Sequence, residues 1–294
     1  MSRTDHDEAE IEASRAPLMD HLIELRKRLV ICVVVFVVAF FVCFYFAGQI
    51  QLFLVQPYKA AAAVQAVHGN SHSGVIQLLM VNAGLEPLPP EGRKAVELIS
   101  TAPLEQLFTK MKIAGFGAVC LAFPVLAYQL YRFVAPGLYR NERGAFLPFL
   151  IAAPILFILG GALVYYVMLP FVMWFSLSQQ VVSEGVSVAL LPKISEYLSL
   201  VTSLLLAFGL CFQLPIVMTL LGLAGMITSK VMAEGRRYAI VAVVVVAAVV
   251  TPPDPISQLM LAAPLVLLYE ISIWCVRLIE LRRKRDDEAE GLTA

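Results

Sequence analysis

Three polar side chains interrupt long apolar stretches of this sequence and are its strongest candidates for chemistry. Gln213 lies within Leu206–Val217, Gln258 follows a proline-rich turn, and Glu270 lies within Leu267–Trp274. A polar group at membrane depth is costly, so such a group commonly serves a binding or transport function. The chemistry available is hydrogen bonding for the two amides and ion pairing for the carboxylate.

Each of these residues also has a structural explanation, which the sequence leaves open. Gln213 could hydrogen-bond the backbone carbonyl that Pro215 frees by lacking an N–H group. Gln258 could cap the helix that follows the turn. Glu270 lies two helical turns from Arg277, so a structural ion pair or an extension toward the cytoplasm would also account for it.

Two further carboxylates lie among basic residues at the ends of apolar stretches. Glu24 shortly precedes Arg26 and Arg28, and Glu142 lies in the segment Tyr139–Gly144 between two arginines. A charged segment is usually just solvated, so composition alone does not assign these two residues a function.

Six apolar blocks must position these residues. The chain is 60% hydrophobic, with a mean hydropathy of +0.80, which indicates a membrane protein with several spans. Five blocks are about as long as the ~20 residues that a helix needs to cross the hydrocarbon. Helices satisfy their own backbone in lipid, so an all-α bundle is predicted. The blocks are Leu29–Ala47, Ile113–Val134, Phe146–Leu169, Leu198–Leu223, Tyr238–Val250 and Ile256–Val276.

The basic residues between these blocks fix a predicted topology. Of the 22 lysines and arginines, 16 lie in the N-terminal tail, the second and fourth loops and the C-terminal tail. The first, third and fifth loops share the other 6, although they are longer in total. The positive-inside rule therefore predicts that both termini lie in the cytoplasm.

The termini differ in character from the membrane domain. Leucines recur every three or four residues through Pro17–Leu29, which predicts an amphipathic helix at the cytoplasmic interface before the chain turns into the membrane. The sequence divides into a predicted disordered cytoplasmic tail, a six-helix membrane domain and a charged cytoplasmic tail, which are residues 1–16, 17–280 and 281–294.

Prolines are expected to shape the remaining features. Gln51–Val67 reads as a helix bent at Pro57, in the first and longest outside loop. The fifth block has 13 residues, about 20 Å as a helix against ~30 Å of hydrocarbon. The turn Thr251–Pro255 ends it, so helices five and six are expected to form a short hairpin. The predicted structural residues are Pro57, Pro215, Pro252, Pro253 and Asp254.

Several classes of function find no support in the sequence. There is no GxxxxGK[ST] motif and no soluble domain for a nucleotide, and no Ser/His/Asp or paired-carboxylate site is evident, so an enzyme is not expected. The five cysteines lie inside apolar blocks without CxxC spacing and read as small hydrophobes. His68 and His72 are four apart, but Gly69 and Gly74 argue against a helical metal site, so no metal or cofactor is expected.

One string is specific enough to suggest a family. His21-Leu-Ile-Glu-Leu-Arg-Lys-Arg-Leu29 resembles the N-terminal signature of TatC, the multi-spanning subunit of the twin-arginine translocase. The resemblance covers nearly all of residues 17–280 and implies six helices in a concave bundle. Further landmarks follow in order: Pro57, Ala135–Arg143, Ala207–Pro215 and Thr251–Asp254.

The resemblance implies a receptor for signal peptides that carry consecutive arginines on proteins exported folded, driven by the proton-motive force. It implies that Glu24 and Glu142 contact the arginine pair, which suits the directional forks between arginine and carboxylate. Arg26 and Arg28 would position Glu24, and Gln213 would face the concave cavity. Some members of the family carry Glu at the position of Gln213, and a glutamine cannot take up a proton.

The resemblance also implies partners and a location. Thr251 and Gln258 match a polar patch where the single-span proteins TatA and TatB dock, although a third position of that patch, Ala248, is apolar here. Membrane lipid and further copies of the chain in a receptor complex are expected as neighbours, and nucleic acid is not. The expected location is the bacterial cytoplasmic (inner) membrane.

Two alternatives remain at this stage. The first is a secondary transporter of a small solute, but the six blocks show no paired broken helices in two similar halves. The second is a purely structural membrane anchor, which would leave Glu24 and Glu142 unexplained. Crosslinking to a signal peptide with an arginine pair would separate all three.

Overall fold

Long helices make up most of the chain in a computed structural model, which describes residues 3–68, 72–87, 98–134, 146–178, 181–183, 186–188, 192–250 and 255–291. The helices of the first half are α1 (Arg3–Tyr45), α2 (Ala47–His68), α3 (His72–Asn82), α4 (Glu105–Val134) and α5 (Phe146–Leu163). A π-helical segment (Val164–Met168) joins α5 to α6 (Leu169–Ser178), and a small hairpin of β1 (Val181–Ser183) and β2 (Val186–Val188) follows. The remaining helices are α7 (Ile194–Cys211), α8 (Leu214–Leu223), α9 (Ser229–Glu234), α10 (Arg236–Val250) and α11 (Pro255–Gly291).

The first helix is continuous, which corrects one prediction. The amphipathic segment Pro17–Leu29 does not turn before it enters the membrane, because α1 runs unbroken from Arg3 to Tyr45. No glycine or proline occurs between Leu18 and Tyr45, so nothing in the sequence interrupts the hydrogen-bond ladder. The helix also includes residues 3–16, whose Ala, Glu and Arg content favours helix, whereas a disordered tail was predicted there.

Five stretches of the described chain are long and apolar enough to cross a membrane, so the chain is an integral membrane protein. They correspond to predicted blocks one to four and six. The fifth block is α10, which at 15 residues is about 22 Å long and short of the hydrocarbon thickness, as predicted. The five stretches are Leu22–Tyr45, Glu105–Arg132, Pro148–Ser178, Ile194–Leu223 and Leu261–Arg282.

Helix six, predicted to be short like helix five, differs in the structure. α11 spans 37 residues, because the helix continues past the end of the apolar block to Gly291. Arginine, leucine, glutamate and lysine dominate residues 277–290, and neither glycine nor proline occurs among them. These residues favour helix strongly enough to extend α11 through most of the predicted charged tail.

The predicted helix around Pro57 is confirmed, and its defect is repaired by tyrosines from other helices. Pro57 lies inside α2 and leaves the carbonyl oxygen of Phe53 without a helical donor. The hydroxyl of Tyr165 donates to that oxygen at 2.9 Å. The hydroxyl of Tyr197 donates to the neighbouring carbonyl of Leu54 at 2.8 Å. These bonds fix α2 against the third and fourth membrane spans.

The π-helical segment is repaired in the same manner. Pro170 removes the helical donor for the carbonyl of Tyr166, just where the π segment loosens the ladder. The side-chain nitrogen of Asn82, at the end of α3, donates to the carbonyls of Tyr165 at 3.0 Å and Tyr166 at 3.4 Å. α2 and α3 therefore both hold this segment.

Glycines permit the closest helix crossings. A Cβ atom on Gly160 of α5 would lie 2.8 Å from the carbonyl oxygen of Phe208 on α7. A Cβ atom on Gly209 of α7 would lie 2.6 Å from the ring of Phe157 on α5. The two helices thus approach each other at a point where only glycine fits on either side.

The fourth span is interrupted close to Pro215. α7 ends at Cys211, and α8 begins at Leu214 with Pro215 in its first turn, where a missing N–H group is harmless. The hydroxyl of Thr219 donates to the Pro215 carbonyl one turn further along α8. Gln213 therefore lies at the junction between the two halves of this span.

The loop after the fourth span is held firmly to α11. Glu280 accepts hydrogen bonds from the backbone N–H of Ser229, at 2.8 Å, and from the hydroxyl of the same serine. The hydroxyl of Tyr269 donates to the carbonyl of Met232 at 2.9 Å. α9 is consequently anchored at both ends to the sixth span.

Candidate functional site

The strongest cluster of charge on α1 is the pair Glu24 and Arg28. The Nε atom of Arg28 donates to Oε1 of Glu24 at 3.1 Å, and Nη2 donates to the same oxygen. The spacing of four residues places both side chains on one face of the helix. Nη1 of Arg28 donates to Oε1 of Gln129 on α4 at 3.3 Å. The guanidinium therefore bridges the first and second membrane spans.

Exposure differs sharply between the two members of the pair. The Arg28 side chain is 13% exposed and the Glu24 side chain is 39% exposed. The arginine is thus a fixed structural group, whereas the carboxylate remains within reach of donors from outside. A partly exposed carboxylate of fixed orientation is the group that binds a guanidinium with directional hydrogen bonds.

Arg26 has a different environment from Arg28. It is exposed and lies two residues from Glu24, so the helix turns its side chain to another face. The structure therefore brings Arg28 to Glu24, while Arg26 contributes charge to the neighbouring surface.

Gln129 is a member of this cluster that the sequence analysis missed. It lies inside the apolar block Ile113–Val134, so the signal that marked Gln213 was available for it too. Its partner is 101 residues away in sequence, and no local pattern indicates that contact.

Gln213 is buried, at 9% exposure, and joins two spans. Its side-chain nitrogen donates to the backbone carbonyl of Ala153 on α5 at 2.9 Å. The expected structural partner was the carbonyl freed by Pro215, and the observed one belongs to another helix. The amide oxygen has no hydrogen-bond partner among the described residues. A buried acceptor of this kind is available to a donor from a bound group.

Gln258 and Glu270 both make contacts between α10 and α11. The side-chain nitrogen of Gln258 donates to the carbonyl of Val244 at 3.2 Å, so it ties the hairpin together instead of capping α11. Glu270 pairs with Arg236 at 2.8 Å. The structural ion pair considered for Glu270 is therefore present, with a partner other than Arg277.

Several predicted site residues lie outside the described residues. They are Glu142, Thr251, Pro252, Pro253 and Asp254. Their predicted roles stay predictions. Among the residues that are described, no three His, Cys, Asp or Glu side chains are grouped so that they could hold a metal ion.

The fold and the site define a class of protein. It is a helical membrane protein with several spans, whose first span carries a partly exposed carboxylate locked in place by an arginine. The chain belongs to the TatC family, since the model of that family, described as Sec-independent protein translocase protein (TatC), matches residues 20–264.

Individual relatives agree with this assignment. The Sec-independent protein translocase protein TatC of Magnetococcus marinus is 40% identical over 276 residues, which cover 94% of this chain and 89% of that protein. The corresponding protein of Haemophilus influenzae is 35% identical over 273 residues, covering 93% and 92%.

A solved structure is also similar. The crystal structure of a twin-arginine translocase receptor, TatC, superposes with a TM-score of 0.68 at 33% identity. The match covers 88% of this chain and 98% of that one. At this identity and coverage, the likeness extends to the whole helical arrangement.

Proposed function

We propose that this chain is the receptor and core subunit of a twin-arginine translocation system, with both termini on the cytoplasmic side of a bacterial inner membrane. The observation that carries the proposal is the Glu24–Arg28 pair, in which a carboxylate is held by a buried guanidinium yet remains 39% exposed. Membership of a translocase family and similarity to a structure named as a receptor support it.

The proposed binding step follows from the chemistry of the cluster. Arg28 donates to Oε1 of Glu24 and is itself held by Gln129, so the carboxylate keeps one orientation before any ligand arrives. An incoming guanidinium then meets a preorganised acceptor, which lowers the entropy lost on binding. Glu142 supplies the second carboxylate for the adjacent arginine. A charge-assisted hydrogen bond contributes about 1.5–3 kcal/mol, which corresponds to roughly tenfold or more in affinity.

Gln213 is proposed to contact the apolar part of the signal peptide. Its amide oxygen is buried and lacks a partner among the described residues, so it can accept a backbone N–H from an extended or partly unwound segment. Its nitrogen is fixed to Ala153, which keeps that oxygen in one orientation. The group acts as a neutral hydrogen-bonding residue, since an amide takes up no proton.

The hairpin of α10 and α11 is proposed to recruit the single-span partners TatA and TatB. α10 is too short to span the hydrocarbon alone. Gln258 is half-buried at the opposite end of the hairpin from Arg236, and Thr251, seven residues earlier in the sequence, is proposed to supply a second hydrogen-bonding side chain. Interhelical hydrogen bonds in membranes contribute on the order of 1 kcal/mol, so docking there is reversible.

Peptide binding to the full-length chain in nanodiscs tests the proposal. The probe is a fluorescent twin-arginine signal peptide, and Glu24→Gln is expected to weaken its binding about tenfold or more. Glu234→Gln removes an exposed carboxylate from α9, on the same predicted side, and serves as the matched control. A peptide in which lysines replace both arginines should bind weakly to the unaltered chain. Equal affinity of the Glu24 variant and the unaltered chain would overturn the proposal.

A further inference from the structure

A cleft of about 610 Å³ lies apart from the charged pair and from Gln213. Its walls come from the first four spans and the start of α2. Lining residues include Cys43 of α1, Phe116 of α4, Ile158 of α5 and Leu205 of α7. All four belong to stretches that can cross a membrane, so the cleft lies at membrane depth.

One wall of the cleft is rigid and apolar. The rings of Phe53 and Tyr165 stack in parallel, with centroids 4.4 Å apart and planes inclined by 3°. The hydroxyl of Tyr165 is engaged by the Phe53 carbonyl, so the cleft meets the face of an aromatic ring. A third ring of the wall, Tyr166, packs edge-on against Tyr165. These contacts prevent the wall from collapsing into the cleft.

The contents of such a cleft follow from its lining. Apolar cavities disfavour water, which needs two to four polar partners. Within a bilayer, the molecules at hand are lipid acyl chains, which gain dispersion contacts when they fill a rigid apolar groove. A volume between about 300 and 1,000 Å³ is typical of a site for a small ligand.

A cation lies one helical turn from the lining of the cleft. Lys112 is one helical turn before Phe116 on α4, so the two residues share a face of the helix. Lys112 is exposed. A lysine at the edge of the hydrocarbon attracts the phosphate of a lipid headgroup. The cleft and the lysine together match the two parts of a phospholipid.

We propose that this cleft binds one phospholipid, with an acyl chain between α1, α4 and α5 and its phosphate at Lys112. In the topology proposed above, the lipid belongs to the outer leaflet. Only that leaflet assignment rests on the proposed function, because the cleft and the lysine are features of the chain itself.

Two glycines allow a substitution that fills the cleft and a matched control outside it. Gly161 lines the cleft, and a Cβ atom there would touch only Leu205, at 4.0 Å, so a larger side chain would extend into the cleft without striking the wall. Gly115 of α4 has no atom within 4 Å of its Cβ position and does not line the cleft. Gly161→Leu and Gly115→Leu therefore add the same side chain inside and outside the proposed site.

The experiment is native mass spectrometry of the full-length chain in detergent with added dioleoyl phosphatidylglycerol. The unaltered chain and Gly115→Leu are expected to retain one lipid, and Gly161→Leu to lose it. Leu121→Trp, at the rim of the cleft, provides a second plug in case the first variant fails to fold. Lys112→Gln should weaken retention about fivefold. Dioleoylglycerol, which lacks the phosphate, should bind the unaltered chain and Lys112→Gln equally.

The outcomes are decisive in both directions. Undiminished retention in folded Gly161→Leu and Leu121→Trp would overturn the site. A photoreactive residue at Leu121 should crosslink to lipid, and crosslinking to a signal peptide in its place would assign the cleft to the peptide. No signal peptide is present in the lipid measurement. A negative result there would therefore count against the lipid site and not against the receptor proposal.

Discussion

The hydroxyl of Tyr165 donates to the carbonyl oxygen of Phe53 at 2.9 Å, while the two rings stack 4.4 Å apart. Phe53 precedes Pro57 by four residues, so its carbonyl is the one that the proline leaves without a donor. The tyrosine thus compensates a helix defect from 112 residues away. This pair joins α2 to the third span.

Tyr165→Phe should lower stability by about 0.5–1.5 kcal/mol, because the part-buried hydrogen bond to the carbonyl of Phe53 is lost while the ring contact persists. Thermal unfolding in a fixed detergent measures the change. Tyr166→Phe, on an exposed neighbour, is the control. Pro57→Ala restores a backbone N–H to the same carbonyl, so the two changes combined should cost less than their sum. If the stability changes of Tyr165→Phe and Pro57→Ala were strictly additive, Tyr165 would not be compensating for the donor that Pro57 removes.

Gly160→Ala should destabilise the chain by about 1–3 kcal/mol, since the added Cβ would lie 2.8 Å from a backbone oxygen of α7 that cannot move aside. Gly161→Ala, one residue along, has room and should be neutral or slightly stabilising through its helix propensity. Thermal unfolding of both variants is the measurement. Equal behaviour of the two alanines would contradict the close crossing of α5 and α7.

Gln129→Leu should weaken binding of a twin-arginine peptide roughly two- to fivefold, because Arg28 loses the hydrogen bond that fixes it beside Glu24. Gln106→Leu changes an exposed glutamine near the other end of α4 and should leave binding unchanged. Fluorescence titration in nanodiscs provides both affinities. An unaltered affinity in the Gln129 variant would show that the position of Arg28 has no bearing on the peptide.

Gln213→Leu should reduce export and also lower stability by about 1 kcal/mol, since Ala153 loses a donor. Gln213→Glu should retain export, because a carboxyl group offers an acceptor in place of the amide oxygen. Ser203→Ala, at an exposed position of α7, is the control. Measuring export per folded molecule separates the two effects. Full export by the folded Gln213→Leu variant would show that Gln213 only links α5 to the fourth span and does not contact the peptide.

Gln258→Cys, in a chain cleared of its five native cysteines, should form a disulfide with a cysteine near the outer end of a TatA or TatB helix. The hydrogen bond to Val244 is lost in this variant, so the hairpin should loosen slightly. Leu130→Cys, at an exposed position of α4, is the comparison variant. Crosslinking confined to Leu130 would place the partner on a different face.

The sequence predicts the local features well and the long-range ones poorly. The helix around Pro57, the break at Pro215 and the short α10 each follow from a pattern within a few residues. The partners of Arg28 and Gln213 lie 101 and 60 residues away, and each is chosen by packing between spans. Periodicity and capping carry no information on such pairs, so only the folded chain reveals them.

Two boundaries differ between the sequence prediction and the structure. The amphipathic segment Pro17–Leu29 is predicted to lie at the interface before a turn into the membrane, yet α1 continues straight through it. Residues 281–294 are predicted to form a charged tail, and most of them extend α11. In both places a polar boundary ends the membrane-embedded part of a helix without ending the helix.

The π-helical segment Val164–Met168 also constrains what evolution can remove. Each residue turns an α-helix by about 100°, so deleting one residue there would yield a more regular helix and rotate everything after it. Tyr166 and Pro170 would then face new neighbours, and the contact of Asn82 with this segment would be lost. The π-helical segment thus rotates α6 relative to α5. Because of this rotation, α5 packs against α7 and α6 packs against α2. A chain that lacked one residue of Val164–Met168 would have a more regular helix, but that helix would pack less well against α2 and α7.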